Sequence, residues 1–163
     1  MPIDSEIVSR VGVIVGLPLS ALHHAADMAG FHFGRMRPVK NGSAGQYVVH
    51  VQCPWRIEYC DAIYTGTSDL YEPSSAFADD LEWERRMGHR QGEQMRRLLG
   101  CGEGASSMIV TSVFGDRFGG ATVIFANGAK LVLFPDGSVA EDWRFFDSHG
   151  GPHFVVSGGK CEP

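Results

Sequence analysis

No CxxC pair, zinc-ribbon spacing or long apolar run occurs in this chain, and it carries no excess of basic charge. Each absence excludes something. The four cysteines, Cys53, Cys60, Cys101 and Cys161, stand too far apart for a thioredoxin-type or zinc-ribbon motif and are expected to be reduced thiols. The apolar run from Val11 stops at Pro18, far short of the roughly 20 residues a bilayer requires. Asp4 and Glu6 stand where a signal peptide carries positive charge, so the expected address is the cytoplasm. The net charge of −5 argues against a general nucleic-acid binder, which needs a basic footprint. There is no GxSxG and no HExxH. The glycines at 100, 102 and 104 follow an expected helix instead of opening one, and no Lys-Ser or Lys-Thr pair comes after them, so no phosphate loop is assigned.

What is present is a globular composition, 44% hydrophobic and 20% charged, in a length suited to one domain. The chain is expected to be a single α+β domain over 1–163, with residues 158–163 as a frayed tail. Twenty-one glycines and eight prolines between short β-rich segments indicate many tight turns. Tyr47, Val49, Val51, Cys53, Trp55, Ile57 and Tyr59 take every second position over thirteen residues, the period of a half-buried strand. Pro54 lacks an N–H, so this run is expected to bend or to divide in two. Asn127-Gly128 between β-branched runs signals a hairpin. Ile7 to Leu17, β-branched and glycine-punctuated, is expected to be a first strand. One main helix is expected near 81–99, capped by Asp79 or Asp80. The expected class is predominantly antiparallel sheet with that one helix, either barrel-like or as two half-sheets. Trp55 and Trp143 fall on apolar alternations and are expected in the core.

Charge is unevenly distributed. From Glu58 to Glu84 there are eight acids and no lysine or arginine; Arg85, Arg86, Arg90, Arg96 and Arg97 then follow closely. Such segregation suits a docking surface, and Asp69, Glu72, Asp79, Asp80, Arg86, Arg90 and Arg97 are its candidate partner-binding residues. The competing view is a solvated loop and a helix whose charges suit its dipole. Gly88 and Gly92, four apart, would let the helix approach a neighbour closely and offer a route to a homodimer. His50, Gln52 and Arg56 share the polar face of the long run and form an alternative pocket, with imidazole as acid or base and guanidinium as anion clamp. His149 and His153 are four apart, but Gly150, Gly151 and Pro152 forbid the helix that would aim both at one ion, so no metal is assigned. No cofactor and no catalytic residue is assigned.

Several fragments together resemble a family of small bacterial proteins of unknown function, frequent in actinobacteria. They are Ala25-Ala26-Asp27-Met28, Phe31-His32-Phe33-Gly34, the run from His50 to Ile57, Asp69-Leu70-Tyr71, Asp142 to Phe146, and His153 to Val156. The late Trp-Arg-Phe hairpin is also similar to immunity-type proteins of bacterial toxin systems. These resemblances imply a mixed sheet-and-helix fold, a cytosolic address, and action by binding a protein partner instead of by catalysis.

Overall fold

In the computed structural model, which describes residues 1–75, 88–100 and 108–162, the chain begins with a helix, α1 (Ile3–Val11), and one 3-10 turn at Gly12–Ile14. The strand expected over Ile7 to Leu17 is therefore overturned. The β-branched composition suggested a strand, but the spacing is helical: Ile7, Val11 and Ile14 fall on one face and are fully buried, while Val8, Val13 and Val15 are exposed. Asp4 and Glu6 in the first turn and Arg10 in the last agree with the helix dipole.

The strands that follow are β1 (Leu19–Ala25), β2 (Met28–Phe33), β3 (Arg37–Val39), β4 (Gly42–Ala44), β5 (Tyr47–Val51), β6 (Trp55–Tyr59) and β7 (Ala62–Gly66). A 3-10 turn at Thr67–Tyr71 and helix α2 (Arg90–Leu99) come next. The chain ends with β8 (Val110–Gly115), β9 (Ala121–Phe125), β10 (Lys130–Leu133), β11 (Glu141–Asp147), β12 (Phe154–Ser157) and β13 (Lys160–Glu162). One sheet has the order β1-β2-β5-β11-β12-β13, the second β7-β6-β10-β9-β8, and β3-β4 is a separate hairpin. Among the described residues every strand pairing is antiparallel and neither sheet closes, and the class is α+β as expected.

The long alternating run decides how the two sheets join. It divides at Cys53-Pro54, β5 lying in the first sheet and β6 in the second. Its partner, β10 followed by β11, crosses beside it in the opposite direction. The crossing is hydrogen-bonded without an N–H from Pro54: Gln52 and Cys53 donate to the Asp142 carbonyl, and Phe134 donates to the Pro54 carbonyl. Both sheets turn their apolar faces to one core. Phe31, Phe33, Val49, Trp143 and Val156 come from the first, and Trp55, Ile57, Val123, Phe125 and Leu131 from the second. Trp55 and Trp143 are both buried, as their alternation predicted.

Three further expectations change. Within the described residues the second helix starts at Arg90, because His89 is extended and the segment 88–90 is tied to residues 72–74. Ser74 donates to the Gly88 carbonyl, Arg90 donates to that of Glu72, and Pro73 and His89 form a β-bridge. His89 caps α2, its Nδ1 accepting from the Gly92 N–H at 2.9 Å. Residues 76–87 lie outside the described residues, and with them the expected start of the helix and its caps Asp79 and Asp80. Gly92 makes room for the capping ring: a Cβ there would stand 2.9 Å from His89 Cε1, so at this position the close neighbour is the chain's own imidazole. The C-terminal residues form β13 instead of fraying, turned back by Gly158-Gly159, both at positive φ. Cys53, Cys60 and Cys161 are free thiols, and burial, the foremost cause, pushes Cys53 up to about 12. No helix among the described residues is long and apolar enough to cross a membrane.

Candidate functional site

The outer face of the six-stranded sheet gathers residues far apart in sequence. Register sets His23, Gly30, His50 and Arg144 directly opposite one another across β1, β2, β5 and β11. One step along, Ala21, His32, Val48 and Phe146 form the parallel row. The β3-β4 hairpin lies over this face. Gly45, which follows it, sits so close to β2 that a Cβ would stand 2.7 Å from the Phe33 carbonyl oxygen. Between hairpin and sheet is a solvent-open cavity of about 330 Å³. Its walls are His23, His24, His32 and His50, the apolar side chains of Met28, Val39, Val48 and Phe146, and the serines Ser43 and Ser148.

Gly30 is the floor. A Cβ there would meet His50 Cδ2 at 3.3 Å and His32 Nε2 at 3.4 Å, so the missing side chain leaves the space that these two imidazoles border. His32 is only 5% exposed, and its Nδ1 accepts the Gly45 N–H at 3.0 Å. A neutral imidazole bonded in this way must carry its proton on Nε2, beside the Gly30 floor. Burial above all, with His23 and His50 close by, holds the His32 pKa down at about 4. His23 packs on it with ring centroids 4.3 Å apart.

His50 is held neutral in the same direction, first by burial and then by Arg144 and His153, with Glu141 opposing. Its ring stands edge-on to Phe146, 4.8 Å between centroids, and His153 stacks on the same phenyl ring at 4.4 Å. Arg144 grips Glu141 with two parallel bonds, Nε to Oε1 at 2.6 Å and Nη2 to Oε2. That pairing lowers the Glu141 pKa and raises that of Arg144. The tautomer of His24 is also determined. Gln91 donates its amide to the Gly66 carbonyl at 2.9 Å, leaving its oxygen to accept from His24 Nε2.

The alternative pocket of the sequence is thus corrected. His50 lines the cavity, but Gln52 and Arg56 do not. Gln52 is exposed at the crossing between sheets, where its backbone N–H donates to the Asp142 carbonyl. Arg56 has passed to the second sheet, where it pairs with Glu58 at 2.7 Å and lies over the Phe134 ring at 4.5 Å. The cause is the division at Pro54: positions of equal parity no longer share a face once the chain changes sheets. The residues that the sequence did not place here are Gly30, His23 and His32, together with Phe146. Alternation of Met28, Gly30 and His32 against Ala29, Phe31 and Phe33 was the available signal for β2.

Among the charge-surface candidates, Asp69 accepts from Thr65 Oγ1 at 3.0 Å and stands 3.8 Å from Arg90 Nε. Glu72 is exposed, and Arg97 pairs with Glu93 at 2.9 Å. The acidic interval and the arginine helix therefore meet within the fold and partly neutralise each other. Asp79, Asp80 and Arg86 lie outside the described residues. His149 and His153 serve separate roles, the first with its backbone N–H on Asp147 and the second stacked on Phe146. No group of three or more histidine, cysteine or carboxylate side chains among the described residues is arranged to hold a metal ion. Two wider clefts of about 750 Å³ each lie elsewhere, one at the β6-β7 hairpin and one between α1 and the end of β11. Comparison of the chain with protein-family models, with curated proteins and with solved structures finds no match.

Proposed function

We propose that this protein binds a small molecule in the histidine-lined cavity above Gly30. One observation carries the proposal: His32, itself only 5% exposed and fixed in tautomer by Gly45, turns its Nε2–H to the solvent-open cavity, where it has no protein acceptor among the described residues. A donor held in such a place favours an acceptor brought by water or by a ligand. The cavity volume falls at the lower end of the ~300–1,000 Å³ usual for ligand sites, and its walls combine apolar surface with a few convergent polar groups. The test is a fragment screen read by NMR on the histidine side chains. Hits are expected to shift the His32 and His50 ring signals and to be lost in Gly30→Val, whose side chain would fill the floor without a left-handed backbone to strain. Hits that bind Gly30→Val equally well would sink the proposal.

A second reading, docking to a protein partner in the manner of immunity-type proteins, is favoured by the exposure of the arginine side chains, 48% for Arg90 and 63% for Arg97. Changing Arg90 and Arg97 to Gln, or Asp69 and Glu72 to their amides, is then expected to slow association and flatten its salt dependence while barely changing stability. A partner whose affinity ignores both sets would count against this second reading.

A further inference from the structure

We infer that the cavity selects an uncharged, largely apolar molecule carrying a hydrogen-bond acceptor, with that acceptor on His32 Nε2 and the apolar body against Met28, Val39 and Phe146. This rests on the cavity being a ligand site, as proposed above. Among the described residues, the walls contain no lysine, arginine, aspartate or glutamate. Arg144, opposite His50, has its guanidinium committed to Glu141. A charged ligand would therefore lose its hydration without gaining a counter-charge, a cost no single hydrogen bond offsets. Anions could recover that cost only by drawing a proton onto an imidazole. His32 resists it, because its Nδ1 lone pair already accepts from Gly45 and burial disfavours the cation. Cations find no carboxylate among the described wall residues and would face the donor edge of His32. A neutral acceptor, by contrast, satisfies Nε2–H directly, and its apolar remainder replaces water on the side chains of Met28, Val39, Val48 and Phe146.

Three probes of similar shape separate the possibilities: acetophenone, which is neutral with an acceptor; ethylbenzene, without one; and benzoate, which is charged. Titrated near neutral pH and followed by the ring signals of His32 and Phe146, acetophenone is expected to bind about tenfold more tightly than either of the others, the equivalent of one net hydrogen bond. His32→Asn keeps an acceptor for Gly45 where Nδ1 stood but removes the Nε2 donor, and should erase the preference for acetophenone over ethylbenzene. His32→Gln, which carries its amide to the Nε2 position, should keep part of that preference if the first variant proves unstable. Equal binding of ethylbenzene and acetophenone to the wild type would overturn the inferred class while leaving the site in place, as would tightest binding of benzoate with proton uptake. If none of the three binds but fragment hits are still lost in Gly30→Val, the class falls and the site stands. If both experiments are blank, the site falls with it.

Discussion

Trp143→Ala is expected to cost about 3–5 kcal/mol, enough by itself to remove a large part of the stability of a domain this size. The indole is fully buried in the core, edge-on to Phe154 with centroids 5.8 Å apart. Its Nε1–H donates to the Gly119 carbonyl at 2.8 Å, so truncation leaves both a cavity and a buried acceptor without its partner. Trp143 also stands opposite Val51, the last residue of β5 before the chain crosses between sheets. Loss of the ring therefore loosens the junction of the two sheets as well as the core. Urea unfolding of the variant against the wild type gives the value. A loss below about 1 kcal/mol would place Trp143 outside the packed core.

The second large effect is acid lability. His32 is held near 4 in the fold against an ordinary value of 6.5. A base whose folded value lies below its unfolded one contributes stability that is complete above the unfolded value. That contribution is lost as pH falls from about 6.5 to about 4, because the unfolded chain takes up the proton first. For this single group the loss amounts to roughly 3 kcal/mol by the bottom of that window. His50 and His89 are shifted in the same direction, burial being the foremost cause in each, and steepen the decline. His32→Asn retains an acceptor for Gly45 and removes the titration, so its stability should fall less between neutral pH and pH ~4. Urea midpoints measured for both proteins across this range would decide it. Parallel decline of wild type and variant would mean that His32 is not the group responsible.

How far the sequence disclosed this architecture depends on the range of the interaction concerned. Asn127-Gly128 lies in the four-residue turn that joins β9 and β10 as expected, with Gly128 at positive φ and the Asn127 side chain accepting from the Ala129 N–H, because so short a turn needs little beyond its own residues. Alternation from Tyr47 to Tyr59 correctly identified the buried side chains Val49, Val51, Trp55 and Ile57. The turn joining β6 to β7 was less visible, since Cys60 and Asp61 occupy left-handed positions where Asn-Gly is usual. At α1, composition and spacing gave opposite indications and the spacing prevailed, because burying Ile7, Val11 and Ile14 on one face outweighs the modest helix cost of β-branched residues. His89 became a cap through bonds to residues 72–74, a contact that no local pattern around Gly88 announces.

By itself the sequence determined the class of the fold, the alternation that buries both tryptophans, the tight turns, and the separation of acidic from basic segments. These follow from backbone and side-chain preferences acting over a few residues. Only the tertiary structure decided that His23, Gly30, His50 and Arg144 would lie in one row, that Arg56 would leave that face at Pro54, and that Arg90 would return to Asp69. Each of these depends on strand register and on where the chain changes sheets. A shift of one residue in register would turn His23, His32 and His50 to the opposite face, and nothing local to those residues specifies which partner strand they meet.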